Sequence, residues 1–510
     1  LLAAVAASFL LDRVFKLESA ARLVLLLAGL FALAFVAWRF LVRRLRALPG
    51  EDPLAVAVVQ AVLGALTCGF LGLLARQTLG AGAGWLAGLL AALYAPAIFY
   101  ESFLLKESVA TFLLTASLLA TMANFGRTDG SGGAAGTRWP AWVGTGALWG
   151  MATATWPLLA PVALAALIWA AIPSFTVAGD RAQGGGGAGH PRPGFDPRGF
   201  LVAGGLLCGA FLAILPCTVR NVAGEGRFVL ISDSGGRNWL VGNSSNSTGT
   251  YIDFPREPLS AATFTFWRLY LRKIGLFFSA REIPQITDMA LLSSASPVLS
   301  RPLPAFGFLA PLALAGLLLG FRRAWELFPL YGLAVLYPLS VSLFFVVGRF
   351  RLPLEPGLVF FAVLVLVHLR DAARLSSGRR RWARSLAVGA GVVLLAHAIN
   401  RPRPLPAGAY PFHQAYARYY LDVGQRALDH DQGREALAAF GRLLDLPSRR
   451  WRAEAHAGRA SAFLGPLNRP RLALDEMRRS LQVDPGQKDA ARIRQVIGRL
   501  EQRVGKENSP

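Results

Sequence analysis

The chain has 510 residues, 54% of them hydrophobic and 16% charged, with a mean hydropathy of +0.43. That excludes a disordered chain, and only three cysteines exclude a disulfide-stapled miniprotein. A net charge of +23 in so apolar a chain argues against a wholly soluble enzyme. It points to basic loops beside a membrane and not to nucleic acid.

The expected fold class is all-α. It is a polytopic membrane helix bundle of about 10–12 spans, with a mixed outer loop and a C-terminal α-helical repeat domain. The chain opens at Leu1 inside an apolar run, Leu1–Leu11, too short to cross a ~30 Å hydrocarbon layer. Residues 1–52 read as a membrane hairpin, truncated or foreign to the rest, with Ala21–Val42 as its full span. A transmembrane domain is expected over 53–399. Its apolar runs are Pro53–Ala75, Ala81–Tyr100, Ser102–Ala123, Trp139–Pro173, Phe200–Val219, Leu303–Phe321, Trp325–Val347, Leu352–Leu369 and Ala383–Ile399. Trp139–Pro173 is too long for one span. It reads as two short helices reversing near Thr155-Trp156-Pro157.

Loop charge sets the orientation. The basic tract Gly378–Arg384, the pair Arg322-Arg323 and the linker Asp180–Gly199 all fall on one side, which should be cytoplasmic. Arg43-Arg44-Leu45-Arg46 falls on the other side and breaks the pattern. The loop 220–302, the turn Gly348–Arg351 and everything after Asn400 are then outside. Within the loop, Gly226–Ser232 reads as a short strand. Phe264, Phe266, Trp267, Tyr270, Phe277 and Phe278 suggest an amphipathic helix, either lying at the interface or packed on the bundle.

Past Ile399 the composition changes. A Pro-rich linker, 400–412, leads into helical patterns over 413–503. Gly424, Ala436, Phe440, Leu443 and Pro447 form one pattern, and Ser461, Ala473, Met477, Ser480 and Pro485 form a second. This resembles tetratricopeptide repeats, which are about 34 residues long. Such a module implies a protein partner bound through 413–503. A plain helical cap is the alternative.

Cys68 and Cys208 lie inside apolar runs and Cys217 ends one. With no zinc-like spacing they read as small apolar side chains.

Four stretches are more specific than composition. They are Tyr94–Glu107 with the helices before it, Gly150–Pro157, Pro216–Asn221 with Gly235–Asn243, and Gly348–Pro356. In this order, over about 52–369, they resemble the bacterial GT-C membrane glycosyltransferases, of the protein mannosyltransferase and lipid A aminoarabinose transferase kind. The resemblance implies transfer of a sugar from a polyprenyl-phosphate donor to an acceptor at the outer face of the inner membrane. The implied partners are that lipid-linked sugar and membrane lipid, with no nucleic acid.

Arg220, Arg349 and Arg351 are then candidates for the donor phosphate, because a guanidinium binds phosphate oxygens bidentately and stays charged near lipid. Anchoring helix ends at headgroups is their alternative role. Glu107 matches an acidic position that in relatives lies near the outer end of a membrane helix, where it binds a divalent metal or orients the donor. A Lys106 salt bridge to Glu101 or Glu107 is the plainer reading. Asn221, Asn238 and Asn243 contact sugar or shape the loop. A divalent metal is the one cofactor implied.

Two departures from the family matter. Relatives carry a general base in their first outer loop, and here the nearest acids are Glu51 and Asp52, equally readable as a helix cap before Pro53. Relatives also carry arginine where Trp156 stands. A catalytically inactive scaffold that binds a partner through its repeats is therefore the alternative function.

Overall fold

The computed structural model describes residues 53–103, 105–125, 139–176, 198–251, 255–285, 289, 293, 296–374, 379–401, 412–444, 446 and 448–507. Among them are eighteen α-helices and no strand. The described residues fall into two compact units, one within Leu1–Ile283 and Ser296–Ala409, the other within Pro284–Ala295 and Tyr410–Pro510.

In the first unit, α1 (Pro53–Leu79) ends at Gly80, whose φ of 98° turns the chain back into α2 (Ala81–Ala92). The two helices then touch through glycine. A Cβ on Gly84 would meet the carbonyl of Gly72 and the side chain of Arg76. The expected single span Ala81–Tyr100 is instead broken: α3 (Ala95–Glu101), with Pro96 in its first turn, is bent 50° from α2. Next comes α4 (Lys106–Phe125). Gln60 of α1 bridges the entry to α4, donating to the carbonyls of Phe103 and Leu105.

The reversal expected at Pro157 is present. α5 (Trp139–Thr155) gives way to a 3₁₀ turn, Pro157–Leu159, and then α6 (Ala160–Thr176). α7 (Arg198–Glu225) crosses α5 at backbone distance. A Cβ on Gly146 would strike the carbonyl of Leu206, and one on Gly209 would strike that of Val143. Gly209→Ala is therefore expected to lower stability by roughly 1–3 kcal/mol through overpacking. Gly204→Ala, at a position open on the same helix, is the control. Thermal midpoints of the two purified variants check this.

α8 (Ser234–Asn243) and α9 (Phe264–Phe277) lie in the loop between α7 and α10 (Phe306–Leu319). α11 (Phe328–Ser342), α12 (Glu355–Arg374) and α13 (Arg379–Asn400) complete the unit. Among the described residues, four helices are long and apolar enough to cross a membrane, a bent pair makes a fifth, and four shorter apolar helices accompany them. Several of the expected apolar runs among the described residues form helices shorter than a full span. A hydropathy window counts apolar turn residues as span. Leu343–Val347, for example, leave the helix before the turn at Gly348.

α4 carries hydroxyls through the apolar interior without needing partners. Thr111, Thr115, Ser117 and Thr121 each donate to the carbonyl four residues back, at 2.7–2.8 Å. Two hydroxyls also accept. Thr121 takes the Trp149 indole N–H and Thr145 takes the Asn124 amide, each at 2.9 Å.

The expected strand at Gly226–Ser232 does not form. Its carbonyls are taken by α7 instead: Asn221 donates to Val229 and Ile231, and Thr218 donates to Leu230. An isolated bridge, Ser244 to Pro258, is the loop's only β pairing among the described residues.

The second unit holds α14 (Phe412–Asp429), α15 (Gly433–Gly441), α16 (Arg449–Leu464), α17 (Pro470–Val483) and α18 (Ala490–Glu507). The ring of Phe440 lies directly on Gly424 and Gly458, so both glycines are needed for the helices to close. Ala436, Leu443, Ala473 and Ser480 are fully buried, and Ser480 donates to the Ala453 carbonyl. Burial pushes the Glu476 carboxyl up. Hydrogen bonds with His456 and Arg459 outweigh that and hold it below the ordinary carboxylate range.

Candidate functional site

The stretch Gly348–Leu354 forms a 3₁₀ turn that feeds α12, and the specific sequence elements around it converge there. Gly348 donates its N–H to the Ile283 carbonyl, and a Cβ at 348 would collide with the Glu282 carboxylate and the Tyr100 hydroxyl. Only glycine lets the turn sit this close.

Arg351 points inward, with 2% of its side chain exposed. Its Nη1 donates to Glu282 Oε1 at 3.3 Å, and its Nη2 donates to the carbonyls of Leu276 and Arg281 at 3.1 and 3.0 Å. The guanidinium also lies 4.4 Å from the Phe306 ring centroid. Glu282 in turn accepts from the Tyr100 hydroxyl at 3.2 Å. The sequence put Arg351 with the phosphate ligands. Its two Nη groups are instead occupied by protein, and they pin the end of α9 to the turn. Glu282 was not singled out in sequence.

Arg349 differs. Its side chain is 20% exposed, and its Nη1 lies 3.0 Å from Glu107 Oε1, whose side chain has no exposure. The pairing is an attraction of charges off hydrogen-bond geometry, because neither Glu107 oxygen has a hydrogen-bond partner. Glu107 reaches Arg349 from the first turn of α4. Lys106 does not pair with Glu101 or Glu107. Its ammonium sits 5.0 Å over the Trp156 ring. The Trp156 indole donates to the Tyr337 hydroxyl at 3.0 Å, and that hydroxyl donates to the Phe350 carbonyl at 2.7 Å. Trp156 also packs edge-on against Phe350. So the tryptophan at the position where an arginine was implied buttresses the turn and carries a cation on its face.

Arg220 is exposed on α7, and no contact joins it to this network. Asn221 and Asn243 shape the loop. Asn221 holds residues 229–231 as described, while Asn243 donates to the carbonyls of Trp239 and Leu343 at 3.0 and 2.8 Å. Asn238 is half-buried on α8. Glu51 and Asp52 lie outside the described residues. Among the described residues no group of three His, Cys, Asp or Glu could hold a metal, and Glu107 faces a cation. The described residues do not fit the implied metal.

Lys273 of α9 was also missed. It is fully buried, and its Nζ donates to Asn243 Oδ1 at 2.7 Å. Burial pushes its amine down to about 7. The unfolded chain then binds more protons than the folded one above that pH, so stability should rise from about pH 7 towards the free-lysine range. The slope is up to about 1.4 kcal/mol per pH unit. Thermal midpoints across that window check this. Lys273→Met should flatten the profile.

No family model and no curated protein matches the chain. Three solved structures of an archaeal oligosaccharyltransferase are similar to it. AglB from Archaeoglobus fulgidus, in complex with an inhibitory peptide and a dolichol-phosphate, has a TM-score of 0.33 and 15% identity over 74% of this chain and 48% of that one. The apo form of the Archaeoglobus fulgidus enzyme gives 0.33 and 14%, over 74% and 48%. The form tethered with an acceptor peptide containing the NVT sequon gives 0.32 and 14%, over 75% and 47%. The chain spans about half the length of the structures it matches. Overlap at this level decides no chemistry, and the site's own residues must carry it.

Proposed function

We propose that the chain is a GT-C-type membrane glycosyltransferase, moving a sugar from a polyprenyl-phosphate donor to an acceptor at the outer face of a bacterial inner membrane. The observation that carries this is Arg349. A partly exposed guanidinium stands at the start of an apolar span, held by a wholly buried carboxylate. A phosphate arriving along the bilayer meets a fixed, bidentate donor there. Lys106, exposed beside Glu107, adds a second positive charge. Arg220 is a third cation for the lipid phosphate, less firmly held.

In the reaction, the acceptor oxygen attacks the anomeric carbon and the bond from that carbon to the phosphate oxygen breaks. The bonding pair stays on the lipid phosphate, and the acceptor proton passes to a base. Arg349 neutralises the charge that grows on the leaving phosphate, an interaction stronger in the transition state than before it. Glu107 orients Arg349 and does not itself meet the donor. Arg351, Glu282 and Trp156 hold the turn that presents it. Glu51 and Asp52 are the proposed sources of the base. The second unit is the proposed seat of a protein partner.

The test is sugar transfer from a panel of radiolabelled polyprenyl-phosphate sugars, with purified protein in detergent and Arg349→Ala beside it. Turnover that depends on Arg349 supports the reading. A folded wild type that neither turns over nor binds any lipid phosphate more tightly than Arg349→Ala does would overturn it.

A further inference from the structure

The aromatic helix α9 is not absorbed by the proposed reaction. Its inward face is Phe266, Leu269, Lys273, Leu276 and Phe277, all buried on the bundle. Its outward face is split lengthwise. Phe264, Trp267 and Leu271, at helical spacing, are 82%, 54% and 66% exposed. Beside them, one turn apart, stand Arg268 and Arg272, both exposed. The helix contains no acidic residue, and neither arginine forms an ion pair among the described residues.

A large aromatic stripe left open on a folded surface calls for an apolar cover. Two observations name it. The first is continuity with the lipid-facing surface. The Tyr270 hydroxyl donates to the Leu339 carbonyl of α11, and Val335 and Leu339 on that helix, with Leu343 just past its end, are themselves exposed apolar residues. The stripe therefore extends a face already open to hydrocarbon. The second is charge: a paired guanidinium edge with no counter-ion among the described residues fits phosphodiester headgroups.

We infer that α9 lies in the membrane interface, with Phe264, Trp267 and Leu271 in the acyl boundary and Arg268 and Arg272 bound to the headgroups of anionic lipids. The sequence allowed either an interfacial or a packed helix. The structure gives one face to each, and the interfacial face carries a preference for lipid charge. This holds whether or not the chain transfers sugar.

Two measurements on the full chain test it. In the first, Leu271→Cys carries an environment-sensitive fluorophore, with Cys68, Cys208 and Cys217 replaced by Ala, in phosphatidylcholine nanodiscs. Brominated phosphatidylcholine should quench the label and aqueous iodide should not. Quenching by iodide alone would put the face in water. Quenching by neither would mean a second copy or another protein covers it. Either result overturns the inference. In the second, native mass spectrometry follows retention of phosphatidylglycerol against phosphatidylcholine in detergent. Arg268→Gln/Arg272→Gln should retain phosphatidylglycerol on the order of tenfold less than the wild type. Arg322→Gln, on the opposite loop side, should match the wild type. Equal retention by the double variant would overturn the headgroup assignment.

Discussion

Arg351→Ala is expected to lower stability by about 3–5 kcal/mol, the cost of removing one partner from a buried charge pair. The loss has three parts. Glu282 is left beside Tyr100 without the guanidinium it faces. The carbonyls of Leu276 and Arg281 lose the guanidinium N–H, while Leu276 keeps the Ser279 amide. The space over Phe306 empties. Arg351→Lys should recover only part, because one ammonium cannot reach three acceptors held in different directions. The paired variant Arg351→Met/Glu282→Met should be far less damaged than Arg351→Ala, since it leaves no buried charge. Thermal unfolding of the four purified proteins decides this. A double variant as unstable as Arg351→Ala would mean the loss comes from packing and not from charge.

Arg349→Ala is expected to reduce sugar transfer by about 10²–10³ in kcat/KM, the size usually seen when one preorganised donor to a developing anion is removed. Arg349→Lys should fall in between, keeping charge without the planar fork. Glu107→Gln should act through Arg349, leaving the guanidinium untethered, so its defect should be small when Arg349 is already alanine. That near-absence of additivity is the signature of a positioning role. Arg220→Ala should cost less than Arg349→Ala, because nothing in the fold fixes its side chain. Thermal midpoints measured in parallel separate lost chemistry from lost fold.

The turn at 348–354 was legible in sequence. Glycine, two arginines and a proline at the mouth of an apolar run are unusual, and they do mark the point of convergence. What they meet was not legible. Arg351 and Glu282 are 69 residues apart, and local sequence gives each a charge without giving its partner. The same holds for Lys106, whose neighbours in sequence are acids but whose neighbour in space is an indole ring. The reversal at Pro157 was readable because proline acts locally on the backbone. The apparent strand at Gly226–Ser232 misled because its composition is that of a strand, and only the fold shows that two side chains of α7 take its carbonyls. Periodicity revealed that α9 is amphipathic. It could not tell which of the adjacent Phe266 and Trp267 turns inward.

The hydroxyls of α4 set unequal constraints on how this helix can drift over evolutionary time. Thr111, Thr115 and Ser117 answer only to their own backbone, so alanine or valine there leaves no other group stranded. Thr121 is different, and so is Thr145 across from it on α5, because an indole of α5 depends on the first and an amide of α4 on the second. A descendant that loses the hydroxyl at 121 strands the indole N–H of Trp149 in an apolar interior, and one that loses it at 145 strands the amide of Asn124. Substitutions at those two positions should therefore travel in pairs, while the rest of the ladder changes freely.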